Sequence, residues 1–574
     1  MRIRIPANAI VGQYTMKITF EGEEPIAYPH PVIVLFNPWS EKDDVYIRND
    51  RDRTEYVTNY EGAIWKGSAL LATRLAWDYA IYEEKSLLAC LQLVTMLPLD
   101  TRSDAVLFSR ALSALVNSQD EGGILVGNWS GNYEGGEKPS SWTGSGPILE
   151  QFYVTENPVK YGQCWVFACV LCSVCRILGI PCRSLTNFNS AHDTSFDRGI
   201  ELYFYRDDDG ELIKDHAVTS DSIWNFHCWN EVWLARRDLP PGYGGWQALD
   251  STPQELSGGI YQTGPCPVSA IKAGSKSKAI KYDLDFIYAE VNADIKHFAR
   301  DEESGEYELI KVNTKHVGAE IVTKAVNSML KRYITGGYKH FEGTAAERAV
   351  HQAPSEALKL EMSVEPEQAR VGDDFEVTIT VTRLKGAGYT PDRNASLMFV
   401  AYALFYTGEP RDKFKSKTVR KFTVLGSGEP AEFKIKISQR NYLPLLDDDH
   451  YMKFSSYVLI DDTKETAINE LNYDLLDPEV NMDVDGDLKE GEEKVVKVSF
   501  KNPISKDLTD MTLHVEGAGL IHREKFKIGT LASGATMEQD VTIKGLHTGN
   551  HILVATINCN ELAPIHGEQD VSVI

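Results

Sequence analysis

Tyr161-Gly162-Gln163-Cys164-Trp165-Val166-Phe167-Ala168 opens a run of apolar residues that continues to Gly179. A glycine-containing turn precedes the cysteine, and the residues after it (CWVFACVLCSVCRILG) have the spacing of a buried helix. This reading puts Cys164 in the first turn. The unpaired N–H groups and the positive end of the helix dipole there favour a thiolate. The Cys164 N–H is also free to donate to a developing oxyanion. The same position suits a small buried hydrophobe, so the segment does not settle the matter alone.

Two later stretches do. Trp224-Asn225-Phe226-His227-Cys228-Trp229-Asn230-Glu231-Val232-Trp233 reads as a strand with a histidine among aromatics. Gly245-Trp246-Gln247-Ala248-Leu249-Asp250 reads as a strand ending in an aspartate before Ser251-Thr252-Pro253. Cysteine on a helix N-terminus, histidine on one strand and aspartate ending the next is a papain-like order. In it the imidazole takes the thiol proton and the carboxylate fixes its tautomer.

The rest of the chain frames this core. Residues 1–44 hold two strand-like runs, YTMKITFEG and HPVIVLFNPW, too few to close a sandwich. Residues 45–353 mix helical and strand patterns, with helical spacing in SALLATRLAWDYAIYEEKSLLACLQLVTML. Two sets of short alternating strands follow, over 354–475 and 476–574, each about the size of an immunoglobulin-like module. The fold class expected is multi-domain α+β and all-β. A papain-like catalytic core follows partial β-sandwich strands and precedes two immunoglobulin-like β barrels.

Composition agrees with a globular protein of several domains: 574 residues, 43% hydrophobic and 25% charged. The net charge of −24 opposes binding to nucleic acid or an anionic membrane, and suits carboxylates gathered around a hard cation. Nine cysteines, an odd number with seven of them between Cys164 and Cys266, suit a reducing compartment rather than a disulfide framework. Cys169, Cys172 and Cys175 lie on the apolar helix with no turn to gather their sulfurs, so they read as packing residues. No apolar stretch is long enough to span a bilayer, and the start of the chain lacks the core of a secretory signal. The cytosol is the default compartment, with unconventional release as a route outside.

YGQCWVFA, TNFNSAHD, WNFHCWNE and GWQALDSTPQE, in this order, closely resemble the animal-type transglutaminase family, and HVEGAGL and NPISKDL resemble its last domain. The resemblance implies protein-glutamine γ-glutamyl transfer through a cysteine thioester. Glutamine- and lysine-bearing proteins or primary amines are the implied substrates and Ca2+ the implied cofactor. It carries the triad onto Cys164, His227 and Asp250, and the tunnel tryptophans onto Trp129 and Trp224. Trp129 would donate to the oxyanion. The implied main calcium site is Asn292, Asp294, Glu342 and Glu347 with the Thr314 carbonyl. A second is Ala114, Asn117 and Glu121, where Gln119 and Gly122 replace better ligands. A third is Asp193, Asp197 and Asp221. Tyr406 matches a tyrosine that hydrogen-bonds the resting thiol, making the β modules a lid.

Three departures from the family pattern stand out. Relatives begin with a full N-terminal sandwich, so 1–44 reads as a truncated remnant of it, with exposed strand edges that favour aggregation. The nucleotide-contacting arginine of some members falls near Leu471, so GTP regulation is not expected. The cysteines of a redox switch are replaced around Gln262-Thr263. A catalytically inactive scaffold and a cysteine protease are the alternatives. The complete triad argues against the first, and YGQCWVFA with the carboxylate-rich segments argues against the second.

Overall fold

The computed structural model describes residues 5–19, 24–120, 122–207, 212–277, 280–301, 304–351, 360–383, 392–405, 407–424, 428–446, 450–460, 466–484 and 486–574. At its centre is the helix Cys164–Ile177, every residue of which is buried. A helix apolar on all sides belongs in a protein interior. It stops at Gly179, whose φ of +85° only glycine adopts readily. A Cβ there would lie 2.1 Å from the Phe36 carbonyl oxygen, so the chain has no room for any other residue.

The helix packs on a six-stranded antiparallel sheet. Its order is Thr263–Pro267, Gly245–Asp250, Ser222–Leu234, Cys182–His192, Ile321–Lys324 and Lys331–Tyr333. Cys182–His192 is buried along almost its whole length. It pairs with Ser222–Leu234 on one side and Ile321–Lys324 on the other. A second, four-stranded sheet joins Gly199–Arg206 in parallel to Asp294–Arg300, with Leu212–Lys214 and Tyr307–Asn313 at its edges.

The helical reading of SALLATRLAWDYAIYEEKSLLACLQLVTML is half right. Glu84–Met96 is a helix, but Ala72–Asp78 is a strand paired with Glu61–Gly67. Pairing with that neighbour decides a run whose apolar spacing fits both periods. Near the start, Gly12–Tyr14 pairs with Val32–Val34 and Lys17–Ile18 with Ile26–Ala27, while the end of YTMKITFEG lies outside the described residues.

Two β modules with the same wiring follow. In the first, Leu360–Pro366, Phe375–Arg383 and Ala431–Ile437 form one sheet. Pro410–Val424, Arg393–Leu404, Tyr451–Ile460 and Thr466–Asp474 form the other. In the second, Val480–Asp483, Glu493–Lys501 and Thr536–Lys544 face Ile521–Leu531, Leu508–Gly517, Gly549–Asn558 and Ile565–Val573. Each is a seven-stranded immunoglobulin-like sandwich, and the inward residues of both share one apolar cluster. Leu404 and Tyr451 of the first module instead join the core cluster that holds Cys164. Among the described residues, no helix is long and apolar enough to cross a membrane.

Candidate active site

Cys164 is the first residue of its helix, after Gln163 in extended conformation (φ −131°, ψ −179°). The first intrahelical bonds run from Val166 and Phe167 to the Gln163 carbonyl, which leaves the Cys164 N–H outside the helical ladder. The Gln163 side chain donates to the Asn128 carbonyl at 3.0 Å, tying the helix start to the segment that carries Trp129.

The structure brings the three predicted catalytic residues together and buries them. His227 Nε2 lies 2.7 Å from Asp250 Oδ2. The Cys164 thiol is a further partner of the imidazole. Nδ1 of His227 is buried and makes no conventional hydrogen bond. Burial pushes the Cys164 thiol well up, and contact with Cys228 adds to this; His227 pulls the other way and loses. Burial therefore opposes a resting thiolate at the helix start. Burial also disfavours a charged imidazole, but Asp250, with Cys164 and Glu290, holds the His227 pKa well above its usual value. In this closed state burial favours the neutral thiol.

Four residues without an assigned role complete the site. Gln254 turns its amide nitrogen toward Asp250 Oδ2 at 3.0 Å and Glu290 Oε1 at 3.2 Å, and its oxygen toward His192 Nδ1 at 3.1 Å. Glu290, near the end of the helix Leu284–Asn292, comes within 3.7 Å of His227 Nε2. Burial raises its carboxyl to about 8, so at neutral pH it is mostly protonated. Cys228 is the thiol against Cys164. Gln254 and His192 sit inside stretches already singled out by sequence, whereas no spacing pattern marks Glu290.

Trp224 stacks on His192, with ring centroids 5.8 Å apart and planes at 9°. It also meets the His227 ring edge-on at 5.1 Å and 83°. It is a wall of the site. Trp129, just past the strand Leu125–Gly127, stacks on Phe167 of the nucleophile helix at 6.3 Å and 9°. The first β module covers the site from outside. Its Tyr451 ring lies 6.2 Å from Phe226, and Gly408 packs on the histidine strand so tightly that a Cβ would meet the Ile223 carbonyl oxygen at 2.0 Å. Tyr406 and Glu121 lie outside the described residues.

The remaining predicted ligands fall into three groups. Asp294 begins a strand, Asn292 ends the helix before it, Thr314 follows the strand Tyr307–Asn313, and Glu347 lies in the short helix Ala345–His351. Arg348 joins Asp294 to Glu347, and Lys339 pairs with Glu342. The donor set suits a hard cation: three carboxylates and an amide, with Glu342 Oε2 buried and without a hydrogen-bond partner. In the second group, Ala114 and Asn117 end the helix Ala105–Val116, and the Asn117 oxygen accepts from Gln119 N at 3.1 Å. In the third, Asp193 accepts from the backbone of Ser195, Phe196 and Arg198, Asp221 from Thr194 and Glu201, and Asp197 from Gly199. These carboxylates organise their own loop. Among the described residues, the one His, Cys, Asp or Glu group whose ligand atoms converge within 4.8 Å is His227, Asp250 and Glu290.

With this geometry in hand, comparison with known proteins is specific. Residues 130–251 match the model of the transglutaminase-like superfamily, and 478–574 that of the transglutaminase family C-terminal Ig-like domain. The chain is 34% identical to protein-glutamine gamma-glutamyltransferase K of Oryctolagus cuniculus, covering 100% of itself and 69% of that protein. It is 35% identical to the coagulation factor XIII A chain of Homo sapiens, covering 94% of itself and 74% of that chain. The crystal structure of red sea bream transglutaminase superposes with a TM-score of 0.88 at 33% identity, over 99% of this chain and 86% of that one.

Proposed function

Because the chain belongs to the transglutaminase family and is a transglutaminase enzyme, we propose that it is a calcium-dependent protein-glutamine γ-glutamyltransferase joining glutamine to lysine side chains. The observation that carries this reading is the buried set of Cys164, His227 and Asp250 at a helix N-terminus, with His227 and Asp250 2.7 Å apart. Its substrates are glutamine- and lysine-bearing proteins and primary amines.

In the proposed mechanism, displacement of the first β module admits the glutamine side chain and lowers the desolvation cost of a thiolate at Cys164, whose proton passes to His227. The thiolate attacks the γ-carboxamide carbon. The oxyanion accepts from the Cys164 N–H and the Trp129 indole, and removing one such donor from an oxyanion hole costs about 10²–10³ in rate. His227 protonates the departing ammonia, leaving the acyl group on sulfur as a thioester. A lysine amine then loses its proton to His227 and displaces the sulfur, forming the isopeptide bond. Water in place of the amine gives deamidation. Asp250 holds the imidazole in orientation throughout, and the Trp224 wall helps keep water out.

Calcium belongs to the proposal through Asn292, Asp294, Glu342 and Glu347 with the Thr314 carbonyl, and secondarily through Ala114, Asn117, Glu121, Asp193, Asp197 and Asp221. Bound there, it would supply positive charge to a carboxylate cluster beside the core. Tyr406 is the proposed resting partner of the thiol. Leu471 at the nucleotide-contacting position leaves no basis for GTP regulation. The proposed domain bounds are 1–44, 45–353, 354–475 and 476–574, and the proposed location is the cytosol, with unconventional release to the outside.

Incorporation of a labelled primary amine into a glutamine-rich protein, with calcium and with chelator, tests the reading beside Cys164→Ala. Calcium-dependent labelling absent from the variant supports it. Folded parent protein that labels nothing in calcium refutes it.

A further inference from the structure

Arg348 lies one residue beyond Glu347 in the helix Ala345–His351 and engages two carboxylates at once. Its Nη1 donates to Asp294 Oδ2 at 2.8 Å and its Nη2 to Oδ1 at 3.0 Å. Its Nε donates to Glu347 Oε2 at 2.6 Å, and Nη2 also reaches Glu347 Oε1. The Asp294 and Glu347 side chains are 13% and 0% exposed, and that of Arg348 is 17%. Two carboxylates withdrawn from water side by side repel each other, and each needs donors for its lone pairs. A planar fork with five N–H donors meets that need better than any other side chain. His351 backs the pair, 3.1 Å from Glu347 Oε1. Lys339 does for Glu342 what Arg348 does for the other two. Every carboxylate of the proposed main calcium site therefore already has a cation of the chain's own.

A calcium ion takes carboxylate oxygens at about 2.3–2.6 Å. It cannot share the same lone pairs with a guanidinium, and the two positive charges repel at contact distance. The helix gives the arginine somewhere to go, since Ala346 and Ala349 on either side are exposed to solvent.

We propose that Arg348 is a built-in counter-ion that holds Asp294 and Glu347 in the calcium-free protein and must swing out for calcium to bind. The inference rests on the calcium reading of this site. It makes calcium affinity a competition, set partly by a residue that is not a ligand. The calcium-free protein is thereby kept folded, with less net negative charge at a cluster that would otherwise push itself apart.

Calorimetric titration of calcium into the chelator-stripped full chain tests this, with thermal melts in chelator alongside, for the parent, Arg348→Gln and Arg348→Lys. If the guanidinium-held state makes up about nine-tenths of the calcium-free protein, its loss tightens apparent calcium binding about tenfold. Arg348→Gln should then bind more tightly, melt lower in chelator and gain more from calcium. Arg348→Lys, which keeps the charge but not the fork, should fall between in both. Either variant folded and binding calcium no more tightly than the parent overturns the inference and leaves the calcium reading standing. A parent that shows no calcium binding overturns that reading, and the inference with it.

Discussion

The amide nitrogen of Gln254 stands 2.9 Å from Nε2 of His227, the nitrogen that Asp250 holds at 2.7 Å. Its hydrogens serve the Asp250 and Glu290 carboxyl groups, while its oxygen faces His192. Gln254 is thus the link between the triad and the stacked pair His192 and Trp224. Gln254→Ala should lower kcat about 10- to 100-fold, the usual worth of a hydrogen bond to a charged group. KM should stay within about twofold, because Gln254 positions His227 and does not hold substrate. Steady-state kinetics of amine incorporation measures both, and an unchanged kcat would remove the residue from the machinery.

Asp250 is the carboxyl in hydrogen-bond contact with His227, at 2.7 Å, while Glu290 lies farther off and is largely protonated at neutral pH. Asp250→Asn keeps the shape and removes the charge. In other triads that exchange costs about 10⁴ in turnover. A loss of about 10³–10⁴ in kcat is expected here, with the fold intact by circular dichroism. A loss below tenfold would mean that Glu290 ionises to take over, and the double variant Asp250→Asn/Glu290→Gln would expose it.

The order of the proposed triad is legible because each of its residues sits in a motif of its own: Cys164 at the head of an apolar run, His227 among aromatics, Asp250 before a turn. Gln254 and Glu290 are not, because their roles come from folding a loop and a helix end against the sheet. Ala72–Asp78 was misread because Ala72, Leu75 and Ala76 have helical spacing, and only the facing strand Glu61–Gly67 decides otherwise. The expected thiolate failed for a different reason. Sequence placed Cys164 correctly on the helix, but could not show that the first β module would close over it, and burial pushes its thiol up.

Asp474, in the last strand of the first module, accepts from the Ser68 backbone N–H at 3.2 Å across the contact with the core. Burial lifts its carboxyl to about 7, against about 3.9 in an unfolded chain. The folded state therefore binds the extra proton between these values. Its stabilising contribution is complete below about pH 4 and is lost as pH rises through about 7. Asp474→Asn has no proton to lose and can still accept from Ser68. Urea midpoints of parent and variant should agree near pH 4 and diverge as pH rises, the variant being more stable by a few kcal/mol at pH 8, one pKa unit being about 1.4 kcal/mol. A constant difference across that range would rule the titration out.

Gly408 controls how closely the first β module seats on the histidine strand. Its φ is +82°, and a Cβ would come within 2.0 Å of the Ile223 carbonyl oxygen and near Trp224. Neither the conformation nor the space admits alanine without movement, and the obstacle is backbone, which cannot rotate aside. The neighbouring ion pair of Lys214 and Glu409, at 2.6 Å, fastens the same loop to the core. Gly408→Ala should therefore push the loop outward while leaving both hydrophobic clusters untouched. With the module lifted, water reaches Cys164, its thiolate becomes less costly, and alkylation by iodoacetamide should accelerate at least about tenfold in chelator, where one pKa unit off a thiol is a factor of ten in thiolate. Glu409→Gln should act in the same direction and more weakly, because it removes an ion pair without forcing a clash. Calcium should narrow the gap between parent and variant if it opens the parent by the same displacement. Alkylation of Gly408→Ala at the parental rate, in protein shown to be folded, would mean that the first module does not gate the thiol.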